Sequence, residues 1–227
     1  MFGLCTHPRS VALQRLQTSP IGAESTSFDV HSTELCWTDG SVQWGNYFWL
    51  ATGAYAIVDA HFQIVESGRV SHWELSAYTT ELYALLRVIR RATCCIQVKS
   101  DCQSLVDQFA DLTRLKQVPE SWSHRPWWLE ICRVLLQRQD QCATPIEVLW
   151  TPSHLLEHLP GELISEAAAR KCGSTARDIL ANRVADKEAN RLATVLSPIH
   201  PRDQRMVESA VLPVSYTHLT LPTKLEV

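Results

Sequence analysis

The order of strand-like and helix-like runs constrains this chain most. Three strand-like runs come first, joined by short links. After them helical stretches alternate with single strands. Glu34 to Thr38 reads as a strand, Phe48 to Val58 as a second and longer one, and Phe62 to Val70 alternates well enough for a third. Short links between the three predict an antiparallel meander. From Thr79 to Arg91 apolar residues recur at helical spacing (Leu82, Leu85, Leu86, Ile89), with Thr79 or Thr80 as N-cap. Cys95 to Ser100 is a compact strand, Gln103 to Phe109 begins a helix, Trp127 to Leu136 is another, and Pro145 to Trp150 is a fifth strand. Helical stretches follow at Glu162 to Lys171 and Ala176 to Leu196. Strands separated by helices predict parallel neighbours in a covered sheet. The expected fold class is α/β: a five-stranded mixed sheet, three strands antiparallel and two further strands parallel, flanked by helices.

The 227 residues suffice for one domain of ordinary size plus flanks, and 45% hydrophobic with 20% charged residues is a globular composition. The expected division is a linker or the end of a preceding domain at 1–30, one domain at 31–196, and an unstructured tail at 197–227. That tail resembles a translated cloning adapter and is set aside from fold reasoning. The longest uncharged apolar run, Phe48 to Val58, is too short to span a bilayer, and the N-terminus lacks the order of a signal peptide. An intracellular location, cytoplasm or nucleus, with no membrane partner is the expectation. The eight cysteines show no Cys-x-x-Cys and no zinc spacing; Cys36 and Cys132 read as small core residues. A net charge of -3 means that any nucleic-acid role rests on a local site, not on bulk electrostatics.

Thr38-Asp39-Gly40-Ser41 places an aspartate between two strand-like runs. Asp-Gly is a common turn signal, and Asp is disfavoured within strands. Three further acids recur at the edges of regular elements. Asp39 is expected to end the first strand and Asp101 the fourth, Glu81 to open the first long helix, and Asp186 to lie in the last helix. If the first and fourth strands are parallel neighbours, Asp39 and Asp101 lie side by side at the carboxyl end of the sheet, where open α/β sheets place their sites. Four close carboxylates repel one another and hold protons. Hard divalent ions such as Mg²⁺ or Mn²⁺ remove that repulsion and also bind phosphate oxygens. Two ions about 3.5–4 Å apart can activate a water and stabilise a leaving oxygen in phosphodiester hydrolysis.

In the stretches Thr38-Asp39-Gly40-Ser41, Thr80-Glu81-Leu82-Tyr83-Ala84-Leu85, Ser100-Asp101-Cys102-Gln103 and Asn182-Arg183-Val184-Ala185-Asp186, the chain resembles type 1 ribonuclease H. Trp150-Thr151-Pro152-Ser153-His154 adds a strand followed by a loop histidine. The resemblance covers roughly Glu34 to Ala193 and implies an RNase H-like fold. It also implies that Asp39, Glu81, Asp101 and Asp186 are catalytic metal ligands for two Mg²⁺ or Mn²⁺ ions. His154, or His158 in its place, would assist proton transfer or product release. The implied reaction is cleavage of the RNA strand of an RNA–DNA hybrid, leaving a 3′-hydroxyl and a 5′-phosphate. Ser41, Gln103 and Asn182 would hydrogen-bond 2′-hydroxyls along the hybrid's minor groove, and Arg87, Arg90, Arg91 and Lys99 would face DNA phosphates or, alternatively, form a solvated face. Such domains often follow a reverse transcriptase in retroelement polyproteins, so a covalently linked reverse transcriptase is an expected partner.

Two other readings belong beside this one. A catalytically inactive RNase H-like module would bind nucleic acid without cutting it. His154-Leu155-Leu156-Glu157-His158 matches a zinc-peptidase pattern, but Pro152 and Pro160 bracket it and leave barely two helical turns for ligands that need a solid helix.

Overall fold

A computed structural model describes residues 35–45, 51–70, 75–92, 95–141, 145–153, 169–170 and 173–197. Strands β1 (Leu35–Gln43), β2 (Thr52–Asp59) and β3 (Ile64–Val70) form the antiparallel meander. Helix α1 (Ala77–Arg91) leads to β4 (Ile96–Ser100), followed by α2 (Gln103–Leu115), α3 (Arg125–Gln141), β5 (Ile146–Trp150) and α4 (Ala176–Val195). The sheet order is β3-β2-β1-β4-β5, with β4 parallel to both β1 and β5. This is the five-stranded mixed sheet expected from the sequence, an antiparallel meander with two further parallel strands. Most of the expected helix at 162–171 lies outside the described residues, as does the start of the expected second strand at 48–50. Among the described residues no helix is long and apolar enough to cross a membrane.

Each face of the sheet is covered by a different kind of contact. On one face the large side chains Leu82, Leu85 and Ile89 of α1, Leu105 and Leu112 of α2, and Trp128 and Ile131 of α3 are fully buried, in one cluster with Cys36, Tyr55 and Ile57 of the strands. Alternation along β1 and β2 turns Trp37, Asp39, Ala54, Ala56 and Val58 to the opposite face. There α4 lies against β1, β2 and β3. Ala181, Ala185, Ala189 and Ala193 recur every four residues, all fully buried, so this helix meets the sheet along a stripe of methyl groups. The N-terminus of α4 is anchored. Thr175 caps it, accepting from the Asp178 N–H at 3.1 Å, and Asp178 pairs with Lys99 Nζ at 2.6 Å and accepts from the Trp37 indole at 3.2 Å.

Two boundaries differ from the sequence reading. Asp39 does not end β1. The strand runs on to Gln43, with Asp39 opposite Ala56 and Gly40 opposite Tyr55. Gly40 therefore sits inside a ladder and not in a turn, and it is absent from the positive-φ glycines. Its role is close approach: a Cβ at Gly40 would lie 2.5 Å from the Glu81 nitrogen and 2.5 Å from the Thr80 carbonyl carbon. Helix α1 begins earlier than expected. Ser76 is its N-cap, accepting from the Thr79 N–H at 3.1 Å while its own N–H donates to Thr79 Oγ1 at 2.8 Å. That reciprocal pair is a capping box with Thr in the place of Glu. Glu81 consequently lies in the second turn of α1, over Gly40, and does not open the helix.

Because backbone atoms oppose the new methyl group, Gly40→Ala is expected to cost about 1–3 kcal/mol of stability, the range for overpacking. Chemical denaturation of the two proteins checks this. An unchanged midpoint would mean that α1 and β1 are not in close contact at this point.

Candidate metal centre

The parallel ladder of β1 and β4 has its last pair at Trp37 and Lys99. Two residues further along each chain stand Asp39 and Asp101. The same register brings both carboxylates to the carboxyl end of the β4 side of the sheet, as expected if β1 and β4 are parallel neighbours. Glu81 reaches them from α1 because Gly40 carries no side chain. The Gly40 N–H donates to Asp39 Oδ1 at 2.9 Å and to Glu81 Oε1 at 2.8 Å, so one amide fixes two acids. Ser100 Oγ donates to Glu81 Oε2 at 3.5 Å and accepts from the Cys102 N–H at 3.1 Å. One carboxylate oxygen from each of Asp39, Glu81 and Asp101 lies within 4.8 Å of the others.

These three acids fit a hard divalent cation. Asp39 is 6% and Glu81 5% exposed, and among the described residues no Lys or Arg pairs with Asp39, Glu81 or Asp101. Burial is the main reason that the Asp39 carboxyl is pushed up from 3.8 to about 7; the charges of Asp101 and Asp186 push the same way, while hydrogen bonds from Glu81 and Gly40 oppose them. Glu81 is held well above the usual carboxylate range, first by burial and then by the Asp39 charge. A set of oxygen donors that cannot all ionise alone suits a positive ion in their midst.

Asp186 stands apart from that close triplet. It lies half-buried on α4 and is coupled to Asp39 through its charge. Asn182, one turn earlier, is buried, and its amide N–H donates to Asp101 Oδ2 at 3.2 Å. Its side-chain oxygen is buried without a hydrogen-bond partner, so the residue expected to read 2′-hydroxyls is turned toward Asp101. Ser41 is half-buried in β1. Gln103 is exposed in the first turn of α2, where its amide donates to Asp107 at 2.7 Å. His154, Glu157 and His158 lie outside the described residues.

The four basic residues expected near DNA phosphates have acidic partners. Arg87 and Arg91 pair with the buried Glu66, Arg90 with Glu130 and Lys99 with Asp178. Glu66 also accepts from the Tyr55 hydroxyl. These contacts tie α1 to β2 and β3, α1 to α3, and α4 to β4. They are structural pairs, and hydropathy patterning gives no signal for which acid a basic residue will meet across the fold. Two further residues at the site were missed in the sequence, Ser100 and Trp150. Each carries an ordinary strand-end pattern, and only the tertiary arrangement shows what it touches.

Protein-family models and curated proteins give no match to this chain. Among solved structures it is similar to the protease–reverse transcriptase of prototype foamy virus, at 16% identity and a TM-score of 0.49, over 78% of this chain and 22% of that one. The chain thus spans about a fifth of the length of that protein. It is also similar to LC11-RNase H1, solved in complex with RNA/DNA hybrid, at 14% identity and a TM-score of 0.41 over 72% of this chain and 99% of that one. The foamy virus RNase H domain matches at 14% identity and a TM-score of 0.42, over 69% of this chain and 94% of that one.

The raised carboxyls make stability depend on pH with a definite sign. A carboxyl whose folded pKa lies above its unfolded value binds its proton more tightly when folded. Its contribution is complete below the ordinary carboxylate range and is lost as pH rises toward about 7, the value for Asp39. In EDTA, the melting temperature is expected to fall between pH 5 and pH 8. Mg²⁺ should raise it more at pH 8 than at pH 5, and Asp39→Asn should flatten the pH slope. Thermal melts of both proteins, with and without Mg²⁺, check this; an equal slope in Asp39→Asn would remove Asp39 as the cause.

Proposed function

We propose that residues 31–196 form a ribonuclease that hydrolyses the RNA strand of RNA–DNA hybrids with two divalent ions, Mg²⁺ or Mn²⁺. The observation that carries this reading is the triplet of buried Asp39 and Glu81 with half-buried Asp101, one carboxylate oxygen of each lying within 4.8 Å of the others. It is supported by the order of four ribonuclease H-like stretches in the sequence, which puts these acids and Asp186 on the elements that the fold brings together. Ions held there would supply Lewis-acid chemistry: activation of a water and stabilisation of the leaving oxygen. The water oxygen attacks phosphorus as the P–O3′ bond breaks, leaving a 3′-hydroxyl on one fragment and a 5′-phosphate on the other.

The chain's own residues have separate parts in this proposal. Asp39, Glu81 and Asp101 supply the oxygen cage, and Asp186 adds a fourth carboxylate from α4. Gly40 and Ser100 hold Glu81 and Asp39 in place through hydrogen bonds that are already made. A cage formed in advance costs no reorganisation during reaction. Ser41 and Gln103, at the rim, hydrogen-bond the hybrid, and His154 or His158 assists proton transfer. In a longer polyprotein a linked reverse transcriptase would supply the hybrid and further binding surface.

Incubation of a labelled RNA–DNA hybrid with the protein and Mg²⁺ is expected to cut the RNA strand. Asp101→Asn should lower the rate by more than the 10- to 100-fold, roughly, that loss of an outer-shell partner costs. Equal cleavage by the variant would sink the assignment of Asp101. A folded, metal-binding parent that holds the hybrid without cutting it would favour the inactive binding module.

A further inference from the structure

Asp101 is held from two sides by residues of β5 and α4. The β4–β5 ladder has its last pair at Ser100 and Trp150, so Asp101 stands one residue past it. Its main-chain oxygen accepts from the indole N–H of Trp150 at 3.2 Å. Beside that contact the Thr151 N–H donates to the Ser100 carbonyl at 3.0 Å. The indole thus takes up the first carbonyl that the ladder leaves behind. From the other side the Asn182 amide N–H donates to Asp101 Oδ2 at 3.2 Å.

Neither residue is placed by what packing requires of it. Trp150 is 44% exposed, so much of its ring lies outside the core. Asn182 is 4% exposed, and its side-chain oxygen is buried without a partner. Leaving a buried acceptor unsatisfied is costly, and the bond that the same amide makes is to Asp101. A metal ligand whose orientation is fixed before the ion arrives binds that ion more tightly, which is how outer-shell partners act.

We propose that Trp150 and Asn182 are positioning residues that clamp Asp101 for metal binding, Trp150 at the main chain and Asn182 at the carboxylate. This rests on the metal-centre reading above. It gives Trp150 a part in the site although its indole touches no carboxylate oxygen. The clamp joins β5 and α4 to the same ligand, so two elements far apart in sequence set the direction of one carboxylate.

The test is calorimetric titration of Mn²⁺ into the full chain without nucleic acid, for the parent, Trp150→Phe and Asn182→Ala. Phe keeps an aromatic ring and removes the N–H donor. Each variant is expected to bind Mn²⁺ about 10-fold or more weakly, the scale of a lost outer-shell partner, while the melting temperature of metal-free Trp150→Phe stays near that of the parent. In hybrid cleavage the Mg²⁺ midpoint should rise, the KM for hybrid should hold, and excess metal should restore kcat. Equal Mn²⁺ affinity in parent and Trp150→Phe overturns the clamp and leaves the metal centre standing. A parent that binds no Mn²⁺ overturns both. If Trp150→Phe does not fold, Trp150→Tyr, which also lacks the indole donor, must show the same loss, and equal affinity there overturns the clamp.

Discussion

One backbone amide organises this site. The Gly40 N–H is shared between Asp39 and Glu81, and it can be shared only because α1 rests directly on β1 where Gly40 has no side chain. The rest of the acidic cluster depends on that contact. It puts a helix residue and a strand residue within reach of one another from opposite sides of the sheet. It buries both carboxyls, and burial is the chief reason that neither ionises at its ordinary pH. The acids are thus kept close at an energetic cost that a cation would relieve.

The two faces of the sheet divide the work. Large apolar side chains from α1, α2 and α3 fill one face and supply the burial that drives folding. The other face carries Asp39 and meets α4 through alanines. A small-residue contact contributes less hydrophobic stabilisation per residue. It lets the helix lie close, and it is this helix that carries Asn182 and Asp186. The ion pairs at Glu66 and Asp178 tie α1 and α4 to the sheet, and that at Glu130 ties α1 to α3 within one layer, so the basic residues of α1 and β4 meet acids across the fold.

Much of this was legible in the sequence, for definite reasons. The change from period 2 to period 3.6 revealed the element order. That order allowed β1 and β4 to be parallel neighbours, the arrangement that puts Asp39 beside Asp101 and that the sheet adopts. What stayed hidden depended on distance across the fold. Asp-Gly has the same letters whether the glycine permits a turn or permits a helix to approach, and here it is the second. The cap expected at Thr79 or Thr80 is Ser76, and Thr79 is the other half of its reciprocal pair. Arg87 and Arg90 meet acids 21 and 40 positions away, on other elements, and Arg91 shares the partner of Arg87. Trp150 ends an edge strand like many aromatic residues, and nothing local marks the carbonyl that it meets.

The alanine stripe of α4 has a property that its burial alone does not reveal. Its four members repeat every four residues, so a slide of about 6 Å along the axis with about 40° of rotation would bring methyl groups onto methyl groups again. Packing on this face is therefore nearly degenerate in translation. What breaks the degeneracy is polar contact: an anchor at the helix start, where Asp178 meets Lys99, Trp37 and Thr175, and further along it the bonds of Asn182 to Asp101 and of Ser67 to Glu188. That anchor acts as an origin from which the positions of Asn182 and Asp186 are measured out by helical rise. The fold and the alignment of its acids thus have different guarantors: alanine packing keeps the layer in place, and a charged contact two turns from Asp186 sets the count.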